Sequence, residues 1–144
     1  MSYNDEPLPT VFSTTIPVRI SDINYGNHVG HDALISIIHE ARMQYLAHHG
    51  FTELNVCGKG TLITEFSIKY KKEIKYGEVL TVRMVATSFS KTSFELQYDV
   101  STKNSAAAFA SSTSTFYDYK AEKVCRIPKE FKEILEDEIA NTVD

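Results

Sequence analysis

The fold is decided by residues 22–50, DINYGNHVGHDALISIIHEARMQYLAHHG, in which a loop leads directly into a helix. Two asparagines and two glycines lie within residues 22–30, and both residue types tolerate left-handed backbone, so we predict a loop of turns there. From Asp32, a predicted N-cap, apolar residues recur at three- and four-residue steps as far as Tyr45, and Gly50 supplies a left-handed stop. Further apolar residues lie off this stripe, which predicts a helix that is buried on most sides.

Strands are predicted before and after this helix. Alternation of apolar and polar side chains, with β-branched and aromatic residues, predicts them at residues 11–20, 62–70, 80–86, 94–101 and 106–119. Short polar turns join the last three, which therefore form an antiparallel meander. After Pro128, a favoured first helical residue, apolar spacing predicts a C-terminal helix over residues 128–141.

The order of these elements predicts an α+β protein in which a curved antiparallel sheet wraps around one long central helix. Residues 1–144 are predicted to form a single domain, because the length suits one core and no repeat or linker interrupts it. Residues 1–10 are polar and contain two prolines, which indicates a flexible N-terminus rather than a signal peptide or a membrane anchor. A cytoplasmic location is the resulting expectation.

Composition argues against several other classes of protein. The net charge is −4 and the positive residues are scattered, so we expect no nucleic acid partner. Cys57 and Cys125 lack CxxC spacing and have no histidines at metal-ligand intervals, so we predict neither a metal site nor a redox pair.

The run RISDINYGNHV at residues 19–29, followed by HEAR at residues 39–42, resembles the hot-dog thioesterases of the 4-hydroxybenzoyl-CoA type and the related plant acyl-ACP thioesterases. Their signature is close to R-x-x-D-x-D-x-x-x-H-V-N-N. The stretch TEFSIKY at residues 64–70, with YGEVL at residues 76–80, resembles their second and third strands. The resemblance implies hydrolysis of an acyl-CoA or acyl-carrier thioester, with coenzyme A only as part of the substrate. It also implies a homodimer or homotetramer in which a second subunit completes the site.

This chain departs from that signature within the site itself. Asn24 holds the place of the second Asp, which is the usual catalytic carboxylate of the family, and an amide is neither a base nor a useful nucleophile at neutral pH. The sequence His28-Val29-Gly30-His31 replaces H-V-N-N. We expect backbone N–H groups around Gly30, reinforced by the helix dipole, to bind the developing oxyanion of a thioester carbonyl.

Each remaining candidate for the catalytic site has two interpretations. Asp22, the first Asp of the signature, either takes part in the chemistry or ties the loop to backbone N–H groups, and the second role is favoured. His28 either relays a proton or is hydrogen-bonded to the loop backbone. Glu40, on a helix predicted to be buried, is either the base or half of an ion pair with Arg19 or Arg42.

Asn24, the fourth catalytic candidate, and the substrate-binding candidates also leave alternatives open; the latter are Val29, Gly30, His31, Lys69 and Lys71. Asn24 either orients a water or the thioester carbonyl, or marks a chain that binds acyl thioesters without hydrolysing them. Lys69 and Lys71, with Lys72 and Lys75 nearby, either bind the phosphates of coenzyme A or form a solvated strand edge. A third possible function is hydration of an enoyl thioester. It is disfavoured, because the motif lacks the catalytic His and the separate catalytic Asp or Glu expected of a dehydratase.

Overall fold

A computed structural model describes residues 12–103 and 105–142, and the predicted flexible segment at residues 1–10 lies outside this range. The chain forms β1 (Phe12–Pro17), a single 3-10 turn (Ile20–Asp22), α1 (His31–His48), β2 (Gly60–Tyr70), β3 (Val79–Phe89), β4 (Ser93–Thr102), β5 (Ser105–Asp118), β6 (Lys123–Val124) and α2 (Lys129–Thr142). The predicted α+β arrangement is confirmed, and the element order agrees with the sequence.

The strands form one antiparallel sheet in the order β1-β3-β4-β5-β2, and the short β6 pairs with β5. Consecutive hairpins join β3, β4 and β5, so the predicted meander is confirmed. Alternate residues of each strand point to the same face, which gives the sheet one inner, apolar face. The order leaves β1 and β2 as the two edge strands of the path.

The core lies between α1 and the inner face of the sheet. Its helical side consists of apolar residues at three- and four-residue spacing, namely Leu34, Ile37, Ile38, Ala41, Tyr45 and Leu46. The facing strands contribute Leu80, Val82, Met84, Leu96, Tyr98 and Val100, which are almost inaccessible to solvent. Strand β5 contributes the alanines at residues 107, 108 and 110 to the same buried cluster.

Helix α1 departs from the expectation at its start and along one face. Gly30 is the N-cap, because Leu34 donates its N–H to the Gly30 carbonyl at 3.0 Å, so the prediction of Asp32 in that role is wrong. Within the single chain the helix also exposes a face, on which Ile35 is 41% accessible, so it is not buried on most sides. The predicted left-handed end is confirmed at Gly50, where φ is +86°.

Helix α2 is fixed to the sheet by a buried carboxylate. Glu138 is 5% exposed and accepts hydrogen bonds from the Tyr45 hydroxyl at 2.5 Å and from the Ala86 N–H at 3.1 Å. Ala86 lies where the register of β3 and β4 shifts before Ser88, so the carboxylate satisfies a donor at a β-bulge. One side chain thus joins α1, β3 and α2.

Candidate active site

A pocket of about 430 Å³ opens at the start of α1. The loop before the helix forms one wall, and the segment that follows β2 forms the other. Most of the predicted site residues line it, namely Asn24, His28, Val29, Gly30, His31 and Lys71. Apolar side chains of Leu34, Tyr70 and Ile74 complete the wall. The structure therefore brings the helix start and the altered motif together around one cavity.

The loop is held in shape by its own backbone. Residues Ile23 and Val29 form an antiparallel bridge, and the Asn24 N–H donates to the His28 carbonyl at 3.1 Å. The Val29 N–H donates to the Ile74 carbonyl at 2.8 Å, which fixes the loop to the opposite wall. Asn27 adopts the left-handed conformation predicted for this stretch, with φ of 67°.

Asp22 lies beneath the loop rather than in the pocket lining. Its buried carboxylate accepts the Arg19 backbone N–H at 2.8 Å and pairs with the Arg19 guanidinium at 3.2 Å. Its backbone carbonyl accepts the Gly30 N–H at 3.4 Å. These contacts correspond to the loop-tying interpretation of Asp22.

The first turn of α1 presents backbone donors that no side chain caps. Gly30 carries no capping group, and the N–H groups of His31, Asp32 and Ala33 have no acceptor within the helix. The N–H groups of Val29 and Gly30 are already bonded, so the predicted oxyanion donors shift to His31 and its successors. Together with the positive end of the helix dipole, these donors favour an anionic oxygen at this point.

The Asn24 side chain adds a further donor beside the helix start. Its Oδ1 atom accepts the Gly26 N–H at 2.9 Å, which orients the amide. The Nδ2 atom then faces Gly30, where a Cβ atom would lie 3.3 Å from it. Asn24 can therefore donate to a carbonyl oxygen but cannot take a proton from water.

His28 has one ring nitrogen committed to the backbone. Its Nδ1 atom lies 3.1 Å from the Val29 carbonyl, which can only accept, so Nδ1 carries the proton and Nε2 is unprotonated in the neutral ring. A Cβ atom on Gly26 would lie 3.3 Å from Nε2 and 3.1 Å from Oδ1 of Asn24. Nε2 of His28 therefore lies near Gly26, beside Oδ1 of Asn24. The start of α1 at Gly30 lies beside the other end of the same amide, Nδ2.

Asp32 belongs to this group of residues, although the sequence suggested only a capping role. Its Oδ1 atom would lie 2.7 Å from a Cβ on Gly30, so the carboxylate extends over the glycine. Burial and then the negative charge of Asp32 raise the pKa of Tyr70, which lines the pocket. The signal that could have identified Asp32 is Gly30, because a glycine N-cap frees a first-turn carboxylate from capping.

Glu40 lies apart from this pocket. It is exposed on α1, nine residues beyond His31 and therefore about 13 Å farther along the helix axis. It lines a separate cleft of about 340 Å³ with Arg19 and Gln44, and the Gln44 amide donates to it at 2.9 Å. Within one chain, Glu40 and the helix start do not meet.

The predicted ion pair of Glu40 is not formed among the described residues. Arg19 pairs with Asp22, whereas Arg42 donates to Glu53 at 3.4 Å and to the Tyr98 hydroxyl at 3.4 Å. The physical reason is the exposure of Glu40, because a carboxylate in water needs no buried counterion.

The two predicted substrate-binding lysines lie on different sides of β2. Lys71 and its neighbour Lys72 line the pocket. Lys69 pairs in register with Phe109 and directly precedes Tyr70, which lines the pocket. Successive strand residues point to opposite faces, so the side chain of Lys69 points away from the cavity of its own chain.

A family model described as the thioesterase-like superfamily matches residues 18–135. No curated protein sequence matches the chain. Among solved structures, a Staphylococcus aureus protein crystallised with CoA is 15% identical, with a TM-score of 0.85, over 98% of this chain and 91% of its own. A 1,4-dihydroxy-2-naphthoyl-CoA thioesterase from Synechocystis is 19% identical, with a TM-score of 0.79, over 88% of this chain and 96% of its own.

A hypothetical protein from Aquifex aeolicus is 25% identical, with a TM-score of 0.79, over 86% of this chain and 98% of its own. These similarities confirm the predicted hot-dog fold. Neither of the two described helices is long and apolar enough to cross a membrane. Within residues 12–103 and 105–142, no three His, Cys, Asp or Glu side chains are grouped so as to hold a metal ion.

Proposed function

Because the chain belongs to the thioesterase-like superfamily, we propose that it hydrolyses the thioester bond of an acyl-CoA to a free acid and coenzyme A. The observation that carries the proposal is the uncapped start of α1 beside the Asn24 amide in an open pocket. Such donors bind the oxyanion of the tetrahedral intermediate more tightly than the neutral carbonyl. In other enzymes, removal of one such donor lowers the rate about a hundredfold or more.

The pocket suits the three parts of such a substrate. The thioester oxygen receives the His31 N–H and the Asn24 amide, and the acyl group packs against Leu34 and Ile74. The phosphates of coenzyme A meet the cation of Lys72 at the pocket wall. The CoA complex of the similar Staphylococcus aureus protein supports coenzyme A, rather than a carrier protein, as the thiol.

We further propose that a second copy of the chain completes the site. The edge strand β2 exposes Leu62, Ile63 and Tyr70, which are 41%, 39% and 46% accessible. Ile35 on the open face of α1 adds to this apolar surface. Apolar side chains at an unpaired strand edge favour pairing with another chain, and in a dimer the cleft at Glu40 of one copy can approach the site of the other.

The experiment is a panel of acyl-CoA substrates from acetyl to palmitoyl and aromatic acyl groups, with detection of the released thiol. We expect turnover above the rate in buffer for at least one chain length. The proposed use of coenzyme A as the thiol is tested by comparing the best acyl-CoA with the matching acyl-pantetheine and acyl-carrier thioesters. No turnover with any substrate would refute hydrolysis.

The second candidate is a protein that binds acyl thioesters without cleaving them, which the replacement of the family carboxylate by Asn24 favours. Calorimetry with a thioether analogue of acyl-CoA measures binding separately from turnover. Tight binding of the analogue, together with intact acyl-CoA after hours of incubation, would establish this function in place of hydrolysis.

A further inference from the structure

We propose that the Asp32 carboxylate is the general base of the reaction, and that it activates a water held between Asp32 and Asn24 above Gly30. This inference rests on the proposed thioester hydrolysis. It identifies the group that takes a proton from the attacking water, which the proposed function leaves unassigned. The family carboxylate is absent at residue 24, and the structure supplies another carboxylate from residue 32.

Gly30 shows that space is reserved at this point. Its backbone, with φ of −72° and ψ of 160°, is open to any residue, so the chain conformation does not require glycine. A Cβ atom there would nevertheless lie 2.7 Å from Oδ1 of Asp32, which is closer than real Cβ contacts allow. The glycine therefore leaves room for the carboxylate beside the first helical turn.

The reserved space is bordered by one donor and one acceptor. Nδ2 of Asn24 and Oδ1 of Asp32 lie 3.3 Å and 2.7 Å from the same point, so the two atoms are no more than about 6 Å apart. A water that makes hydrogen bonds of about 2.8 Å to both atoms needs them to lie within about 5.6 Å of each other, which is close to this upper bound. Nδ2 of Asn24 carries two N–H groups, so one would hold the water oxygen while the other donates to the thioester oxygen, and the Asp32 carboxylate would accept the water proton.

The Asp32 side chain is exposed at the start of α1 and takes no part in capping the helix. Gly30 occupies the N-cap, and no side chain caps the helix. Over the part of the chain that the structure describes, no hydrogen bond or ion pair holds the Asp32 carboxylate. An unengaged carboxylate beside backbone donors and a pocket is available to a substrate-bound water.

His28 and Glu73 also line the pocket and are competing bases, and the geometry at Gly30 disfavours His28. Its Nε2 atom lies beside Gly26, on the side of the Asn24 amide where Oδ1 is already bonded to the Gly26 N–H. The helix start, where the carbonyl oxygen is bound, lies on the Nδ2 side with Asp32. Because Nδ1 of His28 donates to Val29, we assign His28 to positioning the loop.

The proposed step balances as ordinary hydrolysis. The water oxygen bonds to the thioester carbon while one water proton moves to Asp32, and the carbonyl oxygen becomes an oxyanion at the helix start. Collapse of the intermediate re-forms the carbonyl and breaks the carbon–sulfur bond. The proton on Asp32 then passes to the departing sulfur, which leaves as the thiol and restores the carboxylate.

The main test compares Asp32→Asn with Asp137→Asn, which makes the same chemical change at an exposed position on α2. We expect Asp32→Asn to lower kcat at least a hundredfold, within the range for loss of a general base, and to change KM less than threefold. The acidic limb of the kcat–pH profile should disappear in Asp32→Asn and persist in Asp137→Asn.

The possible outcomes separate the two proposals. No turnover by the wild-type protein refutes the proposed function and its base together. Turnover by the wild type with more than a tenth of kcat retained in Asp32→Asn refutes the base alone. A greater loss in His28→Gln than in Asp32→Asn would identify the imidazole as the base and would also overturn the assignment.

Two further variants test the shared space. The double change Asn24→Asp with Asp32→Asn returns a carboxylate to the other border of the space, and we expect it to recover at least tenfold of the kcat lost in Asp32→Asn. Gly30→Ala fills the space, so we expect at least a tenfold loss of kcat. Its cost in stability should stay near the roughly 1 kcal/mol typical of an N-cap change, measured by thermal unfolding. No recovery in the first variant, combined with full activity in the second, would contradict a water site there.

Discussion

Replacing Glu138 with alanine tests how α2 is held against the rest of the domain. The carboxylate is 5% exposed and is the acceptor for two donors on different elements, the Tyr45 hydroxyl and the Ala86 N–H. Nε2 of His49 lies 3.5 Å from the same carboxylate and adds to its stabilisation when the imidazole is protonated. The substitution leaves both buried donors without a partner.

The expected cost follows from those two donors. A buried donor left without an acceptor costs about 1–3 kcal/mol, so the loss of both gives about 2–6 kcal/mol. Removal of the buried charge also removes its desolvation penalty, which offsets part of this loss. We therefore expect a decrease of about 3 kcal/mol in the free energy of unfolding. For a domain of this size such a change lowers Tm by roughly 10 °C.

The conservative variant Glu138→Gln should cost less, about 1–2 kcal/mol, because its amide oxygen still accepts one of the two donors. Urea unfolding followed by circular dichroism measures each value, and Glu136→Ala is the matched control, since residue 136 is exposed on the same helix. We expect the control to stay within about 0.5 kcal/mol of the wild type. An effect of Glu138→Ala no larger than that of the control would refute the structural role of the carboxylate.

Three further predictions concern other sites. Burial and then the charge of Glu138 raise the pKa of Tyr45, so the folded protein keeps this proton above about pH 10, where an unfolded tyrosine loses it. Stability should therefore fall at alkaline pH by up to about 1.4 kcal/mol per unit, and Tyr45→Phe should reduce that slope in urea titrations. Lys72→Gln should raise KM for acyl-CoA about fivefold, and leave KM for acyl-pantetheine unchanged, if this cation meets the CoA phosphates. Thr102→Val should raise the free energy of unfolding by about 1 kcal/mol, because the buried Thr102 hydroxyl has no partner among the described residues; a loss of stability in chemical denaturation would contradict this.

The strands could be predicted because their periodicity is local. Residues 94–100 alternate between apolar and polar side chains, and β4 (Ser93–Thr102) follows that alternation. The C-terminal helix, predicted at residues 128–141, begins and ends within one residue of α2. Such patterns reflect which side faces the core, and a single stretch of sequence contains that information.

The start of α1 was misplaced because two residue types compete for the same role. Both glycine and aspartate are favoured N-caps, and only the backbone angles decide between Gly30 and Asp32. An N-cap placed at Asp32 assigns its carboxylate to capping, so the sequence alone does not point to Asp32 as a site residue. The side-chain direction of Lys69 is equally hidden from the sequence, since its face depends on the register of β2 with β5.

The candidate site could be located from the sequence but its polar partners could not. The motif at residues 22–32 leads into the helix start, where the structure has a pocket. Pairing between distant residues, such as Arg42 with Glu53 and Tyr98, depends on how the loop after α1 folds back over the sheet. Spacing rules describe neighbours along one element and therefore do not reach such contacts.

The contact made by Glu138 also bears on the order in which the chain assembles. The carboxylate lies 93 residues from Tyr45 and 52 residues from Ala86 in sequence, so its partners are synthesised long before it. Until α2 has been made and has docked, the Tyr45 hydroxyl and the amide at the bulge can only be hydrated. These two donors lose their water only when α2 docks, so the burial of both depends on a helix that is far from them in sequence.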